Sequence, residues 1–272
     1  MEARVQQRIQ RYGWDLAAGD YEPTWEAQLA APRDALLELA ALAPGERVLD
    51  VACGTGLVSF AAARAVGGSG RVVGVDLSGR MVEAAMRRAR QREVWTASFA
   101  RMDAQSLALP SASFDVVLCA LGLMYLPDPE AALREMRRVL RPGGRLVAAV
   151  WGERARCGFA PVFEIVDAEV ASEVCPLFFR LGRGDALAVA CASAGLAPRA
   201  QRRIASTLDY ADGDAACRAA FVGGPVALAW SRFAPAVRER ACRHYLEALA
   251  PWRSGAGFRV PAEFVVVQAE AA

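Results

Sequence analysis

From Arg47 onward, short apolar runs alternate with longer stretches of helical periodicity. This order builds a parallel sheet covered on both faces, because each parallel strand needs a crossover helix to return to the same end of the sheet. Strands are expected over residues 47–52, 71–76, 96–102, 114–121 and 145–151, with helices after the first, second and fourth. The turn Arg141-Pro142-Gly143-Gly144 is read as ending a helix and starting a strand, since proline fixes φ and the next residue is free to take a positive one. Before residue 43 the pattern is helical, interrupted by Tyr12, Trp14, Tyr21 and Trp25, with Pro23 and Pro32 expected to break it into short helices. After Trp151 the rhythm loosens into an apolar stretch at 159–170, a helix near 185–194, a strand near 199–208, a helical region over 212–250 and a closing strand at 263–269. There is no repeat and no low-complexity linker. We therefore expect one domain over 1–272: a helical cap (1–43), a ligand-binding core (44–151), and substrate-facing insertions with closing strands (152–272).

Composition narrows the chemistry. With 54% hydrophobic residues the 272-residue chain can bury a large core, and a formal net charge of +2 is too near neutral for the basic footprint of a nucleic-acid binder. The chain has neither lysine nor asparagine, which excludes Schiff-base chemistry through a lysine. Its single histidine, His244, rules out multi-histidine metal centres. The seven cysteines are scattered and form no C-x-x-C pair, so neither a disulfide framework nor a metal site is expected. Residues 1–11 lack the apolar core of a signal peptide, and charged residues interrupt every alanine-rich stretch, so no membrane span and a cytoplasmic location are expected.

The most informative segment is Val48-Leu49-Asp50-Val51-Ala52-Cys53-Gly54-Thr55-Gly56-Leu57, an apolar strand that runs into a glycine turn and then an alanine-rich helix. Such a turn lets a ligand approach the backbone closely. Asp50, immediately before it, would repel a diphosphate and suits a ligand bearing an ammonium and a sulfonium. Asp76 ends the second strand about twenty residues on, the spacing at which an acid accepts hydrogen bonds from ribose hydroxyls. Asp103 ends the third strand, where a carboxylate can accept from an adenine amino group. In open α/β sheets all three strand ends meet at the ligand crevice.

These residues, together with Gly74-Val75-Asp76-Leu77-Ser78, Asp103-Ala104, Phe114-Asp115-Val116-Val117 and Leu140-Arg141-Pro142-Gly143-Gly144, resemble the class I S-adenosylmethionine-dependent methyltransferases, especially the ubiquinone and menaquinone C-methyltransferases. The resemblance covers roughly residues 47–151, and one glycine often found in the motif is Ala52 here. It implies an α/β, Rossmann-like seven-stranded sheet whose last strand is antiparallel, with the N-terminal helical cap and C-terminal helical insertions outside it. It also implies S-adenosylmethionine as cofactor, with Asp50, Ala52, Gly54 and Gly56 around the methionine part, Asp76 on the ribose, and Leu77 packing on adenine. Asp103 and Ala104 would meet the adenine amino edge, Met81 would join the cofactor-binding set, and Cys119 and Ala120 would line the path to the reactive methyl.

Methyl transfer from a sulfonium is an in-line displacement with a good leaving group, so proximity and desolvation can carry it without a catalytic triad, and none is found. Tyr21, Tyr125 and His244 are the candidate catalytic groups, with Tyr12 as a further aromatic that could orient an acceptor. For His244 the commoner role of a histidine on an arginine-rich helix is to face solvent. The Asn/Asp-Pro-Pro-aromatic motif of nucleic-acid amino methyltransferases is absent, its place being taken by Leu121-Gly122-Leu123-Met124-Tyr125. A small apolar or aromatic acceptor is expected, bound between the N-terminal helices and the aromatic-rich region after Trp151. Two other readings stay open. A nicotinamide-dependent oxidoreductase would use Ser59 as a partial match to a third small motif residue but leaves Asp50 and Asp103 unexplained; a non-catalytic S-adenosylmethionine-binding module is the other.

Overall fold

A computed structural model describes residues 3–170 and 175–272. Met1 and Glu2 of the expected cap and residues 171–174 of the expected insertions lie outside them. The chain begins with α1 (Ala3–Ala17), α2 (Tyr21–Trp25) and α3 (Ala30–Ala40). The alternating core follows as β1 (Arg47–Val51), α4 (Leu57–Val66), β2 (Arg71–Asp76), α5 (Gly79–Gln91), β3 (Ala97–Arg101), β4 (Phe114–Ala120), α6 (Pro129–Val139) and β5 (Leu140–Trp151). The remainder comprises α7 (Pro161–Val170), α8 (Ala186–Ser193), β6 (Leu196–Tyr210), α9 (Gly213–Cys217), α10 (Ala227–Arg232), α11 (Pro235–Leu249), β7 (Arg253–Ser254) and β8 (Gly257–Ala271).

The strands form one sheet in the order β3-β2-β1-β4-β5-β8-β6. The first five are parallel, and β8 inserts antiparallel between β5 and β6. This is the expected Rossmann-like sheet with an antiparallel last strand; the two-residue β7 pairs with β8 as an addition. Strand alternation divides the core into two layers. Val116 and Leu118 of β4 join Leu36, Val58 and Val66 beneath α3 and α4, whereas Val117 and Cys119 face the opposite layer with Leu133 and Met136 of α6.

Helix starts follow local chemistry. The Ser78 hydroxyl accepts from Met81 N at the head of α5, and Asp128 accepts from Ala131 N ahead of Pro129 in α6. Pro23 and Pro32 do not break helices as expected. Each is the third residue of its helix, α2 and α3, where a backbone N–H would have no intrahelical partner. The 141–144 turn also differs from expectation, because it lies within β5. Leu140 pairs with Phe114 and Arg145 with Val116, so the four residues bulge out opposite Asp115, with Gly143 at φ 71° and Arg141 ion-paired to the Asp115 carboxylate.

The strands expected at 199–208 and 263–269 are each fifteen residues long, paired from Leu196 with Ala271 to Tyr210 with Phe258. Arginines 199, 202 and 203 hide the apolar alternation at the sheet edge. Glu263, only 4% exposed, accepts from Arg203 (2.9 Å) and from Glu153 N (3.0 Å), and Arg156 lies 3.2 Å away. This cluster anchors the end of the antiparallel pair to the segment that leaves β5. No helix among the described residues is long and apolar enough to cross a membrane.

Candidate functional site

The carboxyl ends of β1 to β5 open into a cleft, roofed by α1, α2, α7 and α11, whose empty space, counting the part open to solvent, is about 1220 Å³. A smaller recess of about 540 Å³ adjoins it, and Tyr21, Ala52, Gly54, Ala120 and Leu121 line both. The glycine turn shapes the wall between them. Ala52, Gly54 and Gly56 all take positive φ, at 57°, 54° and 91°. A left-handed backbone costs an L-residue about 1–2 kcal/mol, which explains why a glycine is often found where this chain has Ala52.

The Ala52 side chain is accommodated by Gly122 across the β4 exit: a Cβ built on Gly122 would stand 2.5 Å from Ala52 Cβ and 3.1 Å from Cys119 Sγ. Gly122→Ala is therefore expected to cost about 1–3 kcal/mol by overpacking. In chemical denaturation, adding Ala52→Gly should recover most of the loss; no recovery would show that the two residues do not compete for this space.

Three carboxylates approach the cavities from three strand ends. Asp50, 1% exposed, faces the smaller recess, where Ser59 Oγ donates to its Oδ2 at 2.5 Å while Oδ1 has no partner. Burial, aided by the charge of Asp76 and opposed by the Ser59 bond, pushes its pKa up to about 7. Asp76 lines the larger cavity; its Oδ2 accepts from Gly54 N (2.9 Å) and its Oδ1 from Ser78 N (2.8 Å). Burial raises it to about 6, against the pull of those backbone donors. Asp103 lines the same cavity and accepts from Gln105 N (2.9 Å) and from Gln7 Nε2 of α1 (2.5 Å). A second tether of α1 is Asp15, whose Oδ1 accepts from Ser78 Oγ at 2.6 Å.

Away from the acids the wall is aromatic. Tyr21, Trp14, Tyr125, Phe178 and Phe163 line the cavity and touch in series, with ring centroids 5.8, 5.0, 5.6 and 4.5 Å apart. Trp25, Trp151, Phe159 and Tyr245 complete this end, where a π-helical turn over Arg218–Val222 brings in Ala220. Among the described residues lining the larger cavity, Asp76 and Asp103 are the charged ones. Burial drives the hydroxyls of Tyr21, Tyr125 and Tyr245 upward, so all three stay protonated at neutral pH.

Ala52, Gly54, Asp76, Leu77, Met81, Asp103, Ala104 and Ala120 stand together on the wall of the larger cavity, as do Tyr21 and Tyr125. Gly56 and Cys119 lie on neither wall. Gly56 precedes α4, where a Cβ would stand 2.8 Å from the Phe60 ring; Cys119, fully buried, turns into the core one residue before Ala120, with its thiol pushed up to about 12 by burial. Tyr12 is exposed on α1, and His244 is exposed on α11 away from the cavity.

Sequence reasoning missed Gln7, Gln10, Gly122 and Tyr245. Gln7, Gln10 and Trp14 share one helical face, a signal that the polar character of the glutamines conceals. Tyr245 is the inward-facing neighbour of His244, and only the rotational setting of α11 distinguishes them.

A family profile described as a methyltransferase domain matches residues 48–144. The chain is similar to nocamycin O-methyltransferase of Saccharothrix syringae, 38% identical over 133 residues that cover 49% of this chain and 48% of that protein. It is also similar to the ubiquinone/menaquinone biosynthesis C-methyltransferase of Cellvibrio japonicus, 37% identical over 134 residues that cover 49% and 51%. The chain thus spans about half the length of the curated relatives it matches. In fold it resembles geranyl diphosphate C-methyltransferase of Streptomyces coelicolor, crystallised with Mg2+, geranyl diphosphate and S-adenosyl-L-homocysteine, at a TM-score of 0.54 and 18% identity over 89% of this chain and 79% of that one. Residues 48–144 of this chain are accordingly similar to a methyltransferase domain, and the sheet around them has the Rossmann-like fold that the solved methyltransferase also shows.

Proposed function

We propose that the protein transfers a methyl group from S-adenosylmethionine to a small apolar or aromatic acceptor by in-line displacement. The carrying observation is the polarity of the cavity, which is acidic at the ends of β1 to β3 and uncharged and aromatic beneath α1, α7 and α11. The residues present fit the cofactor. Asp50 keeps a buried carboxylate oxygen without a partner, a site for an ammonium group, whereas a diphosphate would meet like charge. Asp76 would accept from ribose hydroxyls, Asp103 and Ala104 would meet the adenine edge, and Leu77 and Met81 offer apolar surface beside it.

When bound, S-adenosylmethionine supplies an electrophilic methyl on a sulfonium whose departure leaves a neutral thioether. The chain supplies position: aromatic rings hold the acceptor, and their faces attract positive charge. The protonated tyrosines donate hydrogen bonds and do not remove protons. Ser59, the partial match to a nicotinamide motif, is occupied as the donor to Asp50. We also read the helical cap and the insertions as parts of the same domain, a reading supported by one apolar cluster that runs from Trp25 through Phe163 and Tyr245 to Ala271.

A thermal-shift comparison tests the cofactor. S-adenosylhomocysteine should raise the melting temperature and NAD should not; stabilisation by NAD alone would overturn the assignment. Turnover is tested with labelled S-adenosylmethionine and a panel of aromatic acceptors, where cofactor binding without any labelled product would favour the non-catalytic module.

A further inference from the structure

Five buried side-chain atoms among the described residues lack a hydrogen-bond partner: Gln10 Oε1, Arg11 Nε, Asp50 Oδ1, Tyr210 Oη and Tyr245 Oη. Such atoms are rare in folded proteins, because a polar group taken from water without compensation is costly. Arg11 and Tyr210 lie off both cavity walls, and Asp50 has its place at the cofactor end. Gln10 and Tyr245 remain, and both line the larger cavity, at 5% and 0% exposure.

Each is held by its surroundings. Gln10 Nε2 donates to Cys175 Sγ at 3.6 Å, which uses the donor end of the amide and leaves the carbonyl oxygen without a partner. The Tyr245 ring packs edge-on against Phe221 with centroids 5.5 Å apart, and burial together with the neighbouring Tyr210 hydroxyl holds its pKa up, so the hydroxyl stays a donor. One cavity therefore carries an unused acceptor on α1 and an unused donor on α11, in an otherwise aromatic and uncharged end. Both residues lie outside the segment that matches the methyltransferase domain.

We infer that Gln10 and Tyr245 are the polar anchors that select the acceptor, and that the acceptor is a neutral aromatic molecule bearing a hydroxyl or N–H that donates to Gln10 and a carbonyl or ether oxygen that accepts from Tyr245. The assignment rests on the proposed methyl transfer only in naming the bound molecule an acceptor. A site built to pair with polar substituents discriminates against analogues that lack them, because its own buried groups are then left unpaired.

The test uses the full chain saturated with S-adenosylhomocysteine and four probes: 6-acetyl-2-naphthol, which carries both groups, 2-naphthol and 2-acetylnaphthalene, which carry one each, and naphthalene, which carries neither. Binding is followed by fluorescence. The doubly substituted probe should bind at least about tenfold tighter than naphthalene. Gln10→Met should abolish the advantage given by the hydroxyl, and Tyr245→Phe the advantage given by the carbonyl. Tyr245→Phe should not lower the melting temperature of the ligand-free protein, since it removes only an atom that is unpaired in the fold, and Gln10→Met, which also gives up the long Nε2 contact to Cys175 Sγ, should lower it little; neither should change S-adenosylhomocysteine affinity more than about twofold. Equal affinity for all four probes, unchanged discrimination in both variants, or a marked loss of stability in both would overturn the assignment. Failure of the unaltered protein to bind S-adenosylhomocysteine would strike the proposed function instead.

Discussion

Asp76→Ala is expected to weaken S-adenosylhomocysteine binding by more than about tenfold, measured by calorimetry, with the fold retained. Two losses combine. The ribose hydroxyls lose a charged acceptor, and the Gly54 and Ser78 amides, which Asp76 now holds at 2.9 and 2.8 Å, lose the group that orders the glycine turn. Asp76→Asn separates the two, because it keeps an oxygen for one amide while removing the charge. The raised pKa of Asp76, at about 6, shows that its charge is not favoured by the ligand-free fold. The Asn variant should therefore be no less stable than the parent at pH 8 while still binding the cofactor more weakly. Unchanged affinity in the Ala variant would contradict the ribose role.

Affinity for S-adenosylmethionine should rise steeply between about pH 5 and 8, and its advantage over the less positively charged S-adenosylhomocysteine should grow over the same range. In the ligand-free protein Asp50 titrates near 7 and Asp76 near 6, both raised by burial above the ordinary carboxylate range. A cationic ligand favours the ionised carboxylates, so binding at pH 6 releases protons, which calorimetry in buffers of different ionisation heat would detect. The sign for stability is the reverse. Groups whose folded pKa exceeds the unfolded one stabilise the fold fully below about pH 4 and lose that contribution as pH rises through 6 to 7. Taken alone, these two acids make the ligand-free protein less heat-stable across that window, and the bound cation offsets the loss. Ser59→Ala removes the bond that favours ionised Asp50, and should move the binding transition to higher pH. A flat affinity profile from pH 5 to 8 would show that neither carboxylate meets the positive ligand.

The alternating core was legible because strand and helix periods are local properties: β1, β2, β4 and α4 to α6 lie where apolar spacing placed them, and the acids ending β1 to β3 stand out against apolar runs. The ends of β6 and β8 were not legible. Their outer halves pair with each other beyond the parallel sheet, and the arginines along β6 carry no apolar alternation. Pro23 and Pro32 misled for a related reason, since proline marks the first turn of a helix as readily as a break, and only the backbone bonds around it decide which.

The chain by itself determined the order of strands and helices, the glycine turn with its positive-φ residues, and the acidic character of three strand ends, because each depends on neighbours within a few positions. Tertiary packing alone decided that Ala52 rests against Gly122, that Gln7 of α1 bonds to Asp103, and that Tyr245 rather than His244 faces the cavity. Those choices turn on how helices outside the core are rotated and docked onto the sheet, and that is set by the summed burial of many distant side chains.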